Sequence, residues 1–516
     1  MRRRVLAVLL AASLGVVILP AAAAHAAERF QFAQLTNNAG ADDYPEISGE
    51  RIVWKGVGGS DGGADTEIFT WTPTTGVRQI TSNVYSDTQP RVSGDRIVWQ
   101  GHDGGDYEIY TWTPTGGIYR ITNNAVSDGS PDVSGSFVVW QSDLGGDLEI
   151  WYWSPTYGVN QMTNNIRADS GPRVSGLRVV WMADDGGDYD IFTWTPSGGE
   201  QQITFNTLLD QDPRVSGDRI VWFRDDGTDY EILMWTPVLG TPVFLTGNTT
   251  DDAWPEISGN RVVWRGAGGS DGGGDDEIFT WTPTGGTVQI TRNAYSDAVQ
   301  SVSGDRVVWS GAGGSDGGAD TELFTWTPWF DTIQLTADAR NANNAKVSGD
   351  RITWYTNPDG TDWEIMTATC RFPVWRFYNH TNGTHFYTDS ATERDHVIAT
   401  WPHIFNFEGE AHYTNPANNT QPLYRFYNVV SRSHFYTASS TERDHVMATW
   451  PHIYTYEGLA YAVNTRLVPR SIPAYRFYNL TNGSHFYTVS AAERDHVIAT
   501  YPHIYSYEGT AFWIGQ

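Results

Sequence analysis

Residues Asp87 to Thr122 read DTQPRVSGDRIVWQGHDGGDYEIYTWTPTGGIYRIT, and this stretch decides the fold. It holds four short runs rich in β-branched and aromatic residues: Gln89–Ser93, Arg96–Trp99, Glu108–Trp112 and Tyr119–Thr122. Gly, Asp and Pro clusters separate them, the pattern of strands joined by tight turns. The tryptophan closing the second run recurs as Trp54, Trp99, Trp140, Trp181, Trp222, Trp264, Trp309 and Trp354, at intervals of 41 to 45 residues. A period of that length marks a propeller or a solenoid, and four antiparallel strands per copy make one propeller blade. Eight copies fill residues 31–369.

The ends of the array predict ring closure. Gln34-Leu35-Thr36 matches the fourth-strand segment Gln79-Ile80-Thr81 but precedes the first full copy, and the last copy stops after Glu364–Thr367. The N-terminal segment is therefore expected to complete the eighth blade and remove an open sheet edge. The repeats resemble TolB-type (WD40-like) β-propellers in the Asp87–Asp95 pattern Asp-x-x-Pro-x-Val-Ser-Gly-Asp, the apolar strand after it, the Asp-Tyr-Glu-Ile segment and the closing Gln-Ile-Thr. The resemblance covers about two thirds of the chain and implies fold more than function, since such propellers serve both as partner-binding platforms and as enzyme scaffolds. Trp-Thr-Pro after the third strand departs from the family pattern and reads as a lineage feature.

Residues 1–26 read as a signal peptide: three arginines, an apolar run from Val5 to Leu19, then Ala24-His25-Ala26 as a small-x-small cleavage site. The arginine run leaves Sec and twin-arginine export both open. The expected product is secreted, extracellular and cell-wall associated. Cys370 is the only cysteine, so no intrachain disulfide forms, and no later stretch is apolar enough to span a membrane as a helix.

The chain carries 60 acids against 33 Lys plus Arg, and residues 27–370 hold most of the excess, with 49 acids, 20 basic residues and a net of −29. Such a field repels nucleic acid and anionic lipid and favours cations or a basic protein. One acid set stands three residues before the Pro position: Asp42, Asp87, Asp128, Asp169, Asp210, Asp252 and Asp297, with Ala342 in the eighth copy. Since first strands line a propeller's channel, these seven are expected to ring one mouth as a cation or ligand site. A second set lies before the third strand, at Asp65, Asp106, Asp147, Asp188, Asp229, Asp275, Asp320 and Asp362, each two residues before another acid. Up-and-down topology puts both sets at the same face. Turn capping by Asp is the structural reading of both; Ca²⁺ held by carboxylates and loop carbonyls is the sharper one. Copies one, six and seven carry a longer Gly-Gly-Ser-Asp-Gly-Gly loop, which makes Asp61, Asp271 and Asp316 a candidate ligand cluster on one arc. Fifteen of the 23 tryptophans hold two fixed positions per copy and are expected between blades.

Composition shifts near Phe372, and eleven of the 13 histidines lie beyond it. Three units follow within 371–516, at about 373–415, 422–463 and 473–514. Each has an aromatic-Arg-Phe-Tyr-Asn run, then His-Phe-Tyr-Thr, Glu-Arg-Asp-His and Glu-Gly. Ser390, Ser439 and Ser490, three residues before a Glu, predict a capping box and a short helix that Pro402, Pro451 and Pro502 end. Each unit reads as a hairpin, a helix and a strand, and three imply a pseudo-threefold, trefoil-like β-rich domain. The block is similar to a tandem repeat of uncharacterised function appended to secreted bacterial proteins, which implies an accessory or surface-targeting role. Aromatics beside Asn, Arg and acids suit sugar stacking and hydrogen bonding. The candidate surface is Tyr378, Asn379, His385, Tyr427, Asn428, His434, Tyr478, Asn479 and His485. Their core phenylalanines are expected to pack inside, and the histidine spacing fits no zinc motif.

Gly-x-Ser-x-Gly spacing occurs only inside the repeated Gly-Gly-Ser-Asp-Gly-Gly loops, between strands rather than at a strand-to-helix elbow, and no His-Glu-x-x-His appears. The expectation is thus a mainly β, monomeric, non-catalytic protein that binds extracellular or cell-wall glycan through residues 371–516 and a further partner through the acidic face. The alternatives are a glycoside hydrolase or lyase on the propeller, and a protein–protein interaction scaffold.

Overall fold

The computed structural model describes residues 30–516 apart from 61, 144–145, 185, 271–272, 316, 318–319, 329, 359, 361, 415–420, 468–470 and 516. The signal segment 1–26 and the loop residues Asp61, Asp271 and Asp316 lie outside the described residues. The chain divides into two compact units, the break falling between Thr369 and Cys370. No helix among the described residues is long and apolar enough to cross a membrane.

The first unit is built of four-stranded antiparallel sheets, as in a β-propeller, and eight of them are described. Numbered along the chain, their first strands are Asp42–Ser48, Asp87–Ser93, Asp128–Ser134, Asp169–Ser175, Asp210–Ser216, Asp252–Ser258, Asp297–Ser303 and Ala342–Ser348. Sheet two continues through Arg96–His102, Tyr107–Thr113 and Gly117–Arg120, and the others follow the same order. In sheet eight the fourth strand is Phe30–Gln34, which borders Glu364–Cys370. Leu35 N donates to Ile365 O at 2.8 Å. Ile365 N donates to Thr36 Oγ1 at 2.9 Å, the bond that Ile109 N makes to Thr122 Oγ1 within sheet two.

Side chains between consecutive sheets explain the repeat's fixed letters. The serine of Val-Ser-Gly accepts from the glycine amide of the next copy: Gly94 N to Ser48 Oγ, then Gly135 to Ser93, and on to Gly349 N to Ser303 Oγ. Gly49 N donates to Ser348 Oγ at 2.9 Å, joining the last copy to the first in the same way. The tryptophans at 54, 99, 140, 181, 222, 264, 309 and 354 are all essentially buried, most stacked on the aromatic opposite, as Trp99 is on Tyr110 at 5.7 Å. Each buried cluster draws on two sheets; Val53 and Ile68 of sheet one pack with Ile97, Trp99 and Trp112 of sheet two. Aromatic burial of this kind supplies most of the non-directional stabilisation. Trp-Thr-Pro also gains a physical role: the arginine opening a second strand lies over the next sheet's Trp, as Arg51 does over Trp112 and Arg351 over Trp71.

The second unit holds three three-stranded sheets, each with its long first strand in the middle: Phe372–Asn379, Gln421–Asn428 and Ser471–Asn479. The helices Ala391–Thr400, Ser440–Thr449 and Ala491–Thr500 are ten residues each, and each buries one valine. Each unit keeps a small core of its own, such as Trp375, Phe377, Phe386 and Val397. A shared core joins all three, including Val374, Tyr387, Leu423, Tyr436, Ala474 and Tyr487. At its centre Tyr387 Oη donates to Tyr487 O, Tyr436 Oη to Tyr387 O and Tyr487 Oη to Tyr436 O, at 2.7–2.9 Å. Three phenols thus close a cycle across the units.

Half of the expected capping box forms. Ser390 Oγ accepts from Glu393 N, but the Glu393 carboxylate turns away from the cap to hold both terminal nitrogens of Arg425 in the next unit, at 2.9 and 3.0 Å. Arg476–Glu442 and Arg376–Glu493 complete the same circuit. A bidentate ion pair out of bulk water outweighs the weaker cap contact.

Candidate functional site

The seven aspartates three residues before the proline slot, which holds Gln300 in the seventh copy, open the first strands and are all at least 97% buried. Their carboxylates point into the sheet interior. In six of them Oδ1 accepts the indole N–H of the tryptophan twelve residues on, at 2.5–3.1 Å, from Trp54 on Asp42 to Trp264 on Asp252. Trp309 approaches Asp297 more loosely. In all seven, Oδ2 accepts from an asparagine four residues earlier, as Asn83 Nδ2 to Asp87 at 2.6 Å. The reason is register: Asp87 faces Gly101, two residues from Trp99 and on the same side of the strand. A ligand at a channel mouth would find these groups engaged elsewhere.

The acids of the third strand come to the same end of the sheets. Glu67 Oε1 accepts from Asn83 N at 2.8 Å, and Glu108 from Asn124 N, so each fastens the turn into the next sheet. Burial, opposed by the bonds to Trp264 and Asn248 and reinforced by Glu231 and Asp229, lifts Asp252 to about 7. Burial likewise takes Glu67 and Asp297 to about 7 and Asp42 to about 6.

A different set of charges faces from sheet to sheet, at the position after the proline slot: Glu46, Arg91, Asp132, Arg173, Arg214, Glu256 and Lys346. Arg91 and Lys346 both pair with Glu46, and Arg214 Nε pairs with Glu256 at 3.1 Å. Sequence reading passed over them because a bulge before the proline, marked by a register shift between Thr88 and Arg91, turns the strand there. In six sheets a non-glycine residue takes φ near +50°, as at Tyr44, Gln89 and Trp254.

In the second unit the nine candidate side chains take three separate roles. Asn379, Asn428 and Asn479 are buried and hold tight turns, their Oδ1 accepting amides two or three residues on, as from Thr381 N. The histidines lie inside, between units: His434 packs on Phe386 at 4.8 Å and His485 on Phe435 at 4.9 Å. Each also meets a glutamate of its own unit, His385 with Glu408 at 3.4 Å. Burial, helped by Arg376, pushes His385 down to about 4, and burial with Arg476 does the same for His485. Tyr378, Tyr427 and Tyr478 keep an edge in solvent, each 5.3 Å from its histidine.

Three further aromatics were missed. Trp401, Trp450 and Tyr501 close the helices with 39% of each exposed, above Ile398, Met447 and Ile498, which are more exposed still. A recess of about 390 Å³ runs between units two and three, lined by Asn428, Trp450, Tyr454, Tyr478 and Asn482 among others. The available signal was the helix stop: an aromatic directly before Pro402, Pro451 and Pro502. The threefold pattern breaks at one place. His412, Tyr461 and Phe512 hold one position in the three units and border a recess of about 200 Å³ beside Arg376 and Glu493. His412 Nε2 is buried without a hydrogen-bond partner, and burial followed by Arg376 drives it to about 3, a neutral ring at any ordinary pH.

Among solved structures, the chain is similar in fold to a puromycin-hydrolysing peptidase of Mycobacterium tuberculosis: 12% identity, 62% of this chain and 58% of that one, TM-score 0.43. The chain thus spans less than two thirds of that peptidase. The computationally designed Ika8 protein aligns at 17% identity over 64% of this chain and 98% of its own, TM-score 0.43. TolB from Acinetobacter baumannii aligns at 20% identity over 43% and 58%, TM-score 0.31. No curated protein sequence matches the chain. A family model described as a domain of unknown function (DUF5648) matches residues 334–464 and 373–515, which takes in the three-unit region.

Proposed function

We propose that this chain is a secreted, non-catalytic binding protein in which residues 371–516 recognise extracellular or cell-wall glycan. The repeat array is then an eight-bladed propeller, closed by its N-terminal strand, that offers a further partner an acidic face. The observation that carries the glycan reading is the threefold series of outward aromatics, Trp401, Trp450 and Tyr501, repeated with the solvent edges of Tyr378, Tyr427 and Tyr478. Flat apolar rings beside amide groups suit a ligand with alternating C–H faces and hydroxyl edges. The Trp450–Tyr478 recess brings one ring from each of two units together with Asn482.

Sedimentation of the full chain with insoluble polysaccharides and bacterial cell walls tests this. Selective pelleting is expected, weakened at least tenfold by Trp450→Ala with Tyr478→Ala. A chain that stays in solution with every material, or pelleting indifferent to both substitutions, refutes it.

A further inference from the structure

We propose that Asp226 and Asp229 of the loop between the second and third strands of sheet five, with Glu231 at the start of the third strand Tyr230–Trp235, bind a hard divalent cation, with calcium the ion of matching size. One carboxylate oxygen from each of the three lies within 4.8 Å of the others. An acidic cluster alone would mean little. Here Glu231 is 1% exposed and neither of its oxygens meets a donor at hydrogen-bond geometry; Thr246 and the Asn248 amide approach it more loosely. Asp229 is 8% exposed, and its Oδ2 is also unpartnered. Buried anionic oxygens left in this way are costly unless a cation answers them.

Sheet two supplies an internal comparison. Asp103, Asp106 and Glu108 have the same spacing and gather just as closely. There the chain provides its own cation: Arg120 Nη2 lies 2.7 Å from both Asp103 Oδ2 and Glu108 Oε1. Arg120 stands opposite Tyr110 on the fourth strand, and the corresponding pair in sheet five is Leu233 with Phe244. Sheet five thus keeps the three carboxylates and replaces the guanidinium with an apolar ring. No salt bridge reaches Asp226, Asp229 or Glu231 among the described residues.

The donor chemistry selects the ion. All three ligands are carboxylates, with no histidine or cysteine among them, which favours calcium-like ions over zinc or copper. Asp226 is open to solvent, so waters can complete a shell of six to eight oxygens. Thr228 steadies the loop by donating its hydroxyl toward Asp226 at 2.6 Å and its amide at 2.9 Å.

The test is calorimetric titration of the chelator-treated full chain with calcium chloride, with melting temperature followed in parallel. Saturable binding and a rise in melting temperature are expected. Asp226→Asn, at an exposed position that leaves folding intact, should weaken one site at least tenfold. Phe244→Arg, which installs the guanidinium of sheet two, should remove one calcium equivalent per chain. Absence of heat and of any melting shift at millimolar calcium overturns the proposal. So does wild-type stoichiometry and affinity in both variants, since the ion would then sit elsewhere.

Discussion

Tyr436→Phe removes one oxygen from the centre of the three-unit region, and the structure assigns that oxygen two partners. Tyr436 Oη donates to Tyr387 O at 2.9 Å and accepts from Tyr387 N at 3.0 Å. Tyr387 lies on Thr384–Thr388, an outer strand of its sheet, so its free amide and carbonyl have no next strand to meet. The neighbouring unit's phenol takes that place. Without the hydroxyl, both backbone groups stay buried and unpaired, at about 1–3 kcal/mol each. The substitution should therefore destabilise this unit by about 2–5 kcal/mol. For a unit of some 150 residues, about 3 kcal/mol corresponds to roughly 6–12 °C. Calorimetry of the full chain should show one transition moving by that amount, with faster hydrogen exchange at the Tyr387 amide. Tyr427→Phe, which touches a half-exposed ring on the outside, is the control and should leave the transition in place. A shift below one degree, with Tyr387 exchange unchanged, would refute the cycle as a source of stability.

The same reasoning gives two further expectations. Asp128→Ala strips the partners from the Trp140 indole and the Asn124 amide at once, and should cost the sheet unit about 2–4 kcal/mol in urea denaturation; a loss under 0.5 kcal/mol would refute it. The two units should also respond to acid in opposite directions. Asp252, Asp297 and Glu67, raised by burial to about 7, bind protons on folding, so their contribution is full near pH 4 and is lost as pH rises through 7. His385 and His485, lowered by burial to about 4, leave the unfolded chain binding more protons between 4 and 6.5, so their unit weakens as pH falls through that window. Calorimetry from pH 8 to 5 should move the sheet transition up and the other down; parallel shifts would contradict the assignment.

What could be read from sequence was whatever repeats along the chain and depends on local pattern. The tryptophan period, the strand segments and the stray Gln34-Leu35-Thr36 all belong to that class, because a side chain's face follows from counting by two along a strand. Direction across a bulge does not. A single extra residue between Thr88 and Arg91 decides that Asp87 joins Trp99 inside the sheet while Arg91 reaches Glu46 on its neighbour. The histidines misled for a related reason: an aromatic, titratable side chain next to tyrosine looks like a binding group, but it becomes packing once a second unit is laid against it, as Phe386 is against His434. Glu393 was assigned to its own helix cap for want of knowing that Arg425 stood within reach. The histidine and Glu393 cases share a cause: the partner comes from another unit, and partners from other repeats are invisible in a single repeat.

Acidity that looked like one property therefore divides into separate tasks. The Asp-x-x-Pro carboxylates tie indole to asparagine, and the third-strand glutamates hold the turn amides. The first task needs an acceptor with two oxygens, and an amide in the same place would present a donor to a donor. Repeating such a group in sheet after sheet gathers negative charge at one end of the unit; burial raises Asp252 and Asp297, and the neighbouring carboxylates add to it. Crowding has only a few remedies: a proton, a chain cation or a bound cation. Arg120 is the chain's own answer in sheet two, and in sheet five, where three carboxylates also meet and Phe244 replaces the arginine, the proposed answer is an ion from solution.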